Sequence, residues 1–142
     1  RALLPLICRL PFKLIYPTGQ HQHEVHSRGN RWFQWADVIA GDFHFIGSNL
    51  PQPGPDNADL LAGKMVLTNT TTEEDVAKLK ALGLTTLVTT TPRMEGRSPG
   101  TNVMEGVLVA LSGKRPEELT ERDYLDLLAK LAWRPDVARL RE

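Results

Sequence analysis

With one cysteine, Cys8, among 142 residues, the chain can form no internal disulfide. A lone thiol beside Leu4 and Ile7 reads as a small apolar packing group, which fits a reducing cytoplasm. No run reaches the roughly 18 apolar residues that a membrane-spanning helix needs. Neither sign of charge prevails: Lys+Arg and Asp+Glu both number 17, and the formal net charge is zero. The chain therefore has no overall field to pull it onto nucleic acid or acidic lipid, and neither is expected as a partner. No GxGxxG follows a strand-like run, and no internal repeat or low-complexity tract is present.

A composition of 41% hydrophobic and 24% charged residues fits one globular domain over residues 1–142. A chain of this length buries roughly 70% of its unfolded surface. The start, RALLPLICRLPFKLIYPTG, is apolar and basic, but prolines interrupt it and no small-residue cleavage pattern follows, so it does not read as a leader. It opens at Arg1 inside what reads as an element, so the chain is expected to be the later part of a longer protein.

In chain order, Phe12 to Tyr16 is a short β-prone run ended by Pro17-Thr18-Gly19. A polar stretch with His21, His23, Glu24 and His26 follows, then Trp32, Phe33 and Trp35 at spacings that let two of the three face a core. Asp37 to Gly41 reads as a buried strand, with Asp42 and His44 at its end. Pro51, Pro53, Gly54 and Pro55 impose a surface loop between Gly47 and Asn57. Met65-Val66-Leu67 is a third strand-like run. Thr71 and Glu74 have capping-box spacing, and the helix they open carries Val76, Leu79 and Leu82 before stopping at Gly83. Leu84 to Thr90 is again β-prone. Lys64 to Thr90 thus forms a strand-helix-strand unit of about the minimum length for a parallel crossover.

Beyond it, Ser98-Pro99 reads as the opening of a helix that ends at Gly113. Met104, Val107, Leu108 and Leu111 share one face of that helix, widened by Val103 and Ala110. Thr120 is the expected N-cap of a last helix with Tyr124, Leu127, Leu128 and Leu131 on one side, ended by Arg134-Pro135. The order implies an α/β, Rossmann-like three-layer fold: a mostly parallel sheet of about four strands flanked by helices.

Ligands of open parallel sheets bind outside the strands' carboxyl ends. Those ends carry Asn69, Thr70 and Thr71, then Thr89, Thr90 and Thr91, while Arg97, Ser98, Gly100, Thr101 and Asn102 surround the next helix start. Hydroxyls, a guanidinium and free helix N–H groups suit a small anion; the alternative is ordinary turn and cap chemistry. Arg97 is the better ligand residue of the pair Arg93 and Arg97, unless it pairs with Glu95 or another acid. Asp42 and His44 are candidates for an acid-base pair, or else for a capping aspartate and a packed histidine. His21, His23 and His26 have the donors for zinc or nickel, but no regular element aligns all three and no cysteine assists. A solvated loop is the preferred reading, with no metal expected.

The segments ADVIAGDFHFIGSNLP, KMVLTNTTTEEDVAKLKALGLTTLVTTTP and EGRSPGTNVMEGVLVALSGKRPEEL resemble the C-terminal half of a bacterial family labelled quinate or shikimate 5-dehydrogenase-like. The resemblance covers nearly the whole chain. It implies an oxidoreductase, an NAD(P)-dependent dehydrogenase with catalytic residues outside this stretch. This lobe would then hold a cofactor phosphate or a hydroxy-acid carboxylate. Two other functions stay open: a non-catalytic module for a nucleotide or acidic metabolite, and a subunit-association domain. In the last, Trp32, Phe33, Trp35 and Trp133 would meet a second copy.

Overall fold

A computed structural model describes residues 30–141. Helix α1 (Asn30–Trp35) leads into β1 (Val38–Ala40), α2 (Phe43–Asn49) and a 3-10 turn at Pro55–Asn57. Then come β2 (Met65–Thr68), α3 (Glu73–Ala81), β3 (Thr86–Thr89), α4 (Thr101–Ser112), a 3-10 turn at Pro116–Glu118, α5 (Glu121–Lys130) and β4 (Asp136–Arg139). The expected Phe12–Tyr16 strand, Cys8 and the histidines at 21, 23 and 26 lie outside the described residues.

The four strands stand in sequence order, with β1, β2 and β3 parallel and β4 antiparallel to β3. The sheet is therefore mixed rather than mostly parallel, and a fourth described strand is one that the sequence pattern did not suggest. The connections explain the difference. A single helix carries the chain back to the strand's starting edge, so β2 and β3 run parallel to their predecessors. After β3 two helices intervene, and α4 and α5 pack on each other. They return the chain to the edge it left, and β4 must run the opposite way.

Register fixes the core. Ile39, Val66, Leu87 and Ala138 lie side by side across the sheet. Phe33 of α1, Phe43 and Ile46 of α2 and Leu79 of α3 cover that face, with Leu50, Leu61, Leu82 and Leu84 closing the edges. Two successive crossovers of the usual hand, stepping the same way across a sheet, place both helices on one face. On the opposite face Val38, Met65 and Val137 remain exposed.

Local chemistry sets the helix ends. Thr72, not Thr71, caps α3: its hydroxyl accepts the Asp75 N–H at 3.2 Å, and the Asp75 carboxylate accepts the Thr72 N–H at 2.8 Å. The box is shifted by one residue because the Thr71 hydroxyl is buried against Ser98. Gly100, not Ser98, caps α4, and Gly113 ends it with φ 66 in the left-handed region. Thr120 caps α5 as expected, in a box with Asp123. Of the three aromatic residues in α1 only Phe33 is buried, since Trp32 and Trp35 share the other side of the helix and touch edge to face. Met104 and Leu108 are buried on α4, while Val107 and Leu111 stay exposed.

Candidate functional site

Three parallel strands deliver their carboxyl ends to one rim, and hydrogen bonds between those ends lock it. The Thr68 hydroxyl donates to the Gly41 carbonyl at 2.7 Å, and the Thr90 N–H donates to the Thr68 carbonyl at 2.9 Å. Thr70, just past β2, has φ 56. A β-branched residue in the left-handed region is strained, and such strain persists only where the surroundings impose it.

The connection from β3 to α4 is a folded arm rather than an open loop. Met94 and Arg97 exchange both backbone hydrogen bonds, at 2.8 and 2.9 Å, around Glu95 (φ 48) and Gly96 (φ 79). Two left-handed residues in succession make the tight hairpin turn that favours glycine at its second position. A side chain at Gly96 would also strike the carboxylate of Glu73. The arm is stitched to the start of α3. Ser98 N–H donates to the Thr71 carbonyl at 2.8 Å, Thr71 N–H donates to the Ser98 hydroxyl at 3.0 Å, and the two hydroxyls lie 2.7 Å apart. The Thr91 hydroxyl donates to the Pro99 carbonyl at 2.6 Å.

Two concavities flank this arm. A groove of about 900 Å³ runs between α2, α3 and the arm, with His44, Gln52, Thr70, Lys78, Arg97 and Ser98 among its lining residues. A cavity of about 490 Å³ lies between β3's end and the α4–α5 pair, lined by Thr90, Thr91 and Thr101 together with Met104, Glu105, Leu108, Tyr124, Leu128 and Trp133. The nine residues expected to hold one anion are thus divided: Thr70, Arg97 and Ser98 face the groove, and Thr90, Thr91 and Thr101 the cavity. Asn69, Gly100 and Asn102 line neither. Asn69 accepts the Thr70 hydroxyl at 3.1 Å, and Asn102 accepts the Val103 N–H at 3.0 Å. Gly100 abuts the Thr70 hydroxyl closely enough that a Cβ would sit 3.2 Å from it. The hydroxyls of Ser98 and Thr91 are both spent on the protein.

Asp42 and His44 are not alternating strand positions; they stand at the start of α2. The Asp42 carboxylate accepts the backbone N–H of His44 at 2.9 Å, as an N-cap does, while the imidazole lies on the groove wall. Lys78, which the sequence did not single out, reaches the groove from α3 and donates to the carbonyls of Gly47 and Leu50 at 3.2 and 3.4 Å. Burial pushes its pKa below the ordinary lysine value, partly opposed by Asp75. Arg97 is exposed and forms no ion pair with any described residue, so the expected alternative, a bridge to Glu95, is not formed.

Electrostatics separates the three helix starts at the rim. Asp42 neutralises α2, and Glu73, Glu74 and Asp75 crowd the first turn of α3. Helix α4 has no acid in its first turn and no side-chain cap at Gly100, so its N-terminal partial charge stays uncompensated. Lys78 was within reach of sequence reasoning, since it lies one turn after Glu74 on α3. Trp133 gave no local sign: its indole N–H donates to the Thr90 carbonyl at 3.0 Å, a partner 43 positions away.

Among the described residues no helix is long and apolar enough to cross a membrane. The chain matches the family described as domain of unknown function DUF8754 over residues 1–140 and belongs to that family. No curated protein and no solved structure matches it.

Proposed function

We propose that this member of the DUF8754 family binds a small anion, a carboxylate or a phosphate, in the groove beneath Arg97. The observation that carries the reading is the guanidinium itself. It stands at the tip of a pinned arm, unpaired among the described residues, on the wall of a groove at the strands' carboxyl ends. A planar fork held in this way grips a carboxylate or phosphate through two parallel hydrogen bonds. Thr70 lines the same groove, with its hydroxyl proton donated to Asn69. Trp32 and Trp35 stay accessible for a second copy, whereas Phe33 is buried in the core.

The wider reading is the C-terminal lobe of a cytoplasmic oxidoreductase of the quinate or shikimate 5-dehydrogenase type, in a Rossmann-like three-layer fold. Sequence resemblance and the three parallel strands, each followed by a helix, support it. Of the three helix starts only that of α4 suits a cofactor phosphate, which the Gly100 and Thr101 amides would hold; bound NAD(P) would supply the hydride acceptor. His44 is the groove residue suited to take a hydroxyl proton. The Asp42 carboxylate is occupied as a cap.

The test is calorimetric titration of the full-length protein with quinate, shikimate and inorganic phosphate, alongside absorbance at 340 nm with NAD⁺ or NADP⁺. Charge-assisted bonds contribute about 1.5–3 kcal/mol, so Arg97→Ala is expected to weaken the ligand roughly 10- to 100-fold. An unchanged affinity would remove the groove from consideration. Binding without reduction of the cofactor would leave a non-catalytic metabolite-binding module.

A further inference from the structure

The cavity on the far side of the arm has the opposite character to the groove. Its body is apolar and aromatic, built from Met104, Leu108, Tyr124, Leu128 and Trp133. The aromatic wall is fixed in advance. Trp133 N–H donates to the Leu128 carbonyl at 2.9 Å, its indole N–H donates to the Thr90 carbonyl at 3.0 Å, and Ala132 before it turns through φ 49. A ring already held at both ends loses little freedom when a ligand arrives. One charged side chain lines the space, Glu105, and it makes no ion pair with a described residue. The hydroxyls of Thr101 and Tyr124 are likewise without a partner among the described residues.

We propose that this cavity binds a small organic cation: an amine or quaternary ammonium on a flat apolar body. A volume of about 490 Å³ lies within the range of small-molecule sites. An anion would meet the Glu105 carboxylate, with the start of α4 at Thr101 the one feature of the lining in its favour. A neutral ring would gain the apolar walls alone. A cation gains those walls, the Glu105 carboxylate and the electron-rich rings of Tyr124 and Trp133. The site shares no lining residue with the groove.

Three probes of matched size separate these cases: phenethylamine, 2-phenylethanol and phenylacetate, titrated into the full chain and followed by ligand-observed NMR and tryptophan fluorescence. Phenethylamine should bind roughly fivefold or more tightly than the alcohol, and phenylacetate most weakly. Glu105→Gln, an exposed substitution, should reduce the advantage of the amine to what the two rings supply and leave the alcohol unchanged. Leu128→Trp fills the cavity and should abolish all three, with the far-UV circular dichroism retained, while Arg97→Ala should alter none. No saturable binding of phenethylamine up to millimolar concentration would overturn the proposal. So would phenylacetate binding as tightly as the amine, or an amine preference undiminished by Glu105→Gln.

Discussion

Ser98→Ala removes one oxygen and tests whether the arm carrying Arg97 is held as described. Ser98 and Thr71 are each only 3% exposed. The Ser98 hydroxyl accepts the Thr71 N–H at 3.0 Å and lies 2.7 Å from the Thr71 hydroxyl. Without it, a buried amide and a buried hydroxyl both lose a partner, and each such group costs about 1–3 kcal/mol. The sum is about 2–6 kcal/mol, a sizeable part of the roughly 5–15 kcal/mol that stabilises a typical domain. Urea unfolding followed by circular dichroism should show the midpoint falling with an unchanged slope, and thermal unfolding a Tm lower by roughly 5–25 °C. Ser112→Ala is the control. That hydroxyl also donates a short bond, 2.6 Å to the Val109 carbonyl, but at the half-buried end of α4, and its loss should cost under about 1 kcal/mol. Because Thr71→Val removes the other half of the hydroxyl pair, the double variant should fall short of the summed single losses by about 1 kcal/mol. A Ser98→Ala cost below about 0.5 kcal/mol, or one equal to the control, would refute the reasoning.

Two more expectations follow from buried and charged groups. Thr89 is 2% exposed, and its hydroxyl is the buried side-chain polar atom without a hydrogen-bond partner among the described residues. Thr89→Val keeps the shape and removes that orphan, so equilibrium unfolding should show a gain of about 1 kcal/mol, and a loss of stability would contradict the assignment. Asp123 is held at a pKa of about 2, below the ordinary 3.8, by the Lys114 ammonium at 2.7 Å and then by the Thr120 N–H and hydroxyl. Its folded pKa is depressed, so the stabilisation is complete above about pH 4 and is lost as pH falls through 2. Carboxyl NMR titration should show that pKa moving back up in Lys114→Ala, and an unmoved value would rule out the ammonium as the main cause.

The candidate site shows how far local chemistry can be read ahead of the fold. Arg97, Thr70 and His44 are brought to one groove, as their positions at strand and helix ends suggested. Thr90, Thr91 and Thr101 are not, because the pinned arm of residues 90–100 divides the rim into two spaces. Nothing near Ser98 in the sequence points to Thr71, 27 positions earlier, as the group that claims its hydroxyl. For Asp42 the sequence left a catalytic and a capping reading open, and the capping one holds: its carboxylate accepts the His44 N–H at the start of α2.

The sequence by itself determined the elements whose signals are local: α3, α4 and α5 from apolar spacing, with Thr120 and Gly113 at their ends, and β2-α3-β3 as a parallel unit from its length. Only the tertiary structure decided that β4 closes the sheet antiparallel, that Thr72 rather than Thr71 caps α3, and that the arm splits the rim. The physical reason is competition for partners. A helix period or a left-handed glycine is imposed by neighbours a few residues away, whereas a hydroxyl, a carboxylate or an edge strand bonds to whatever folding sets beside it.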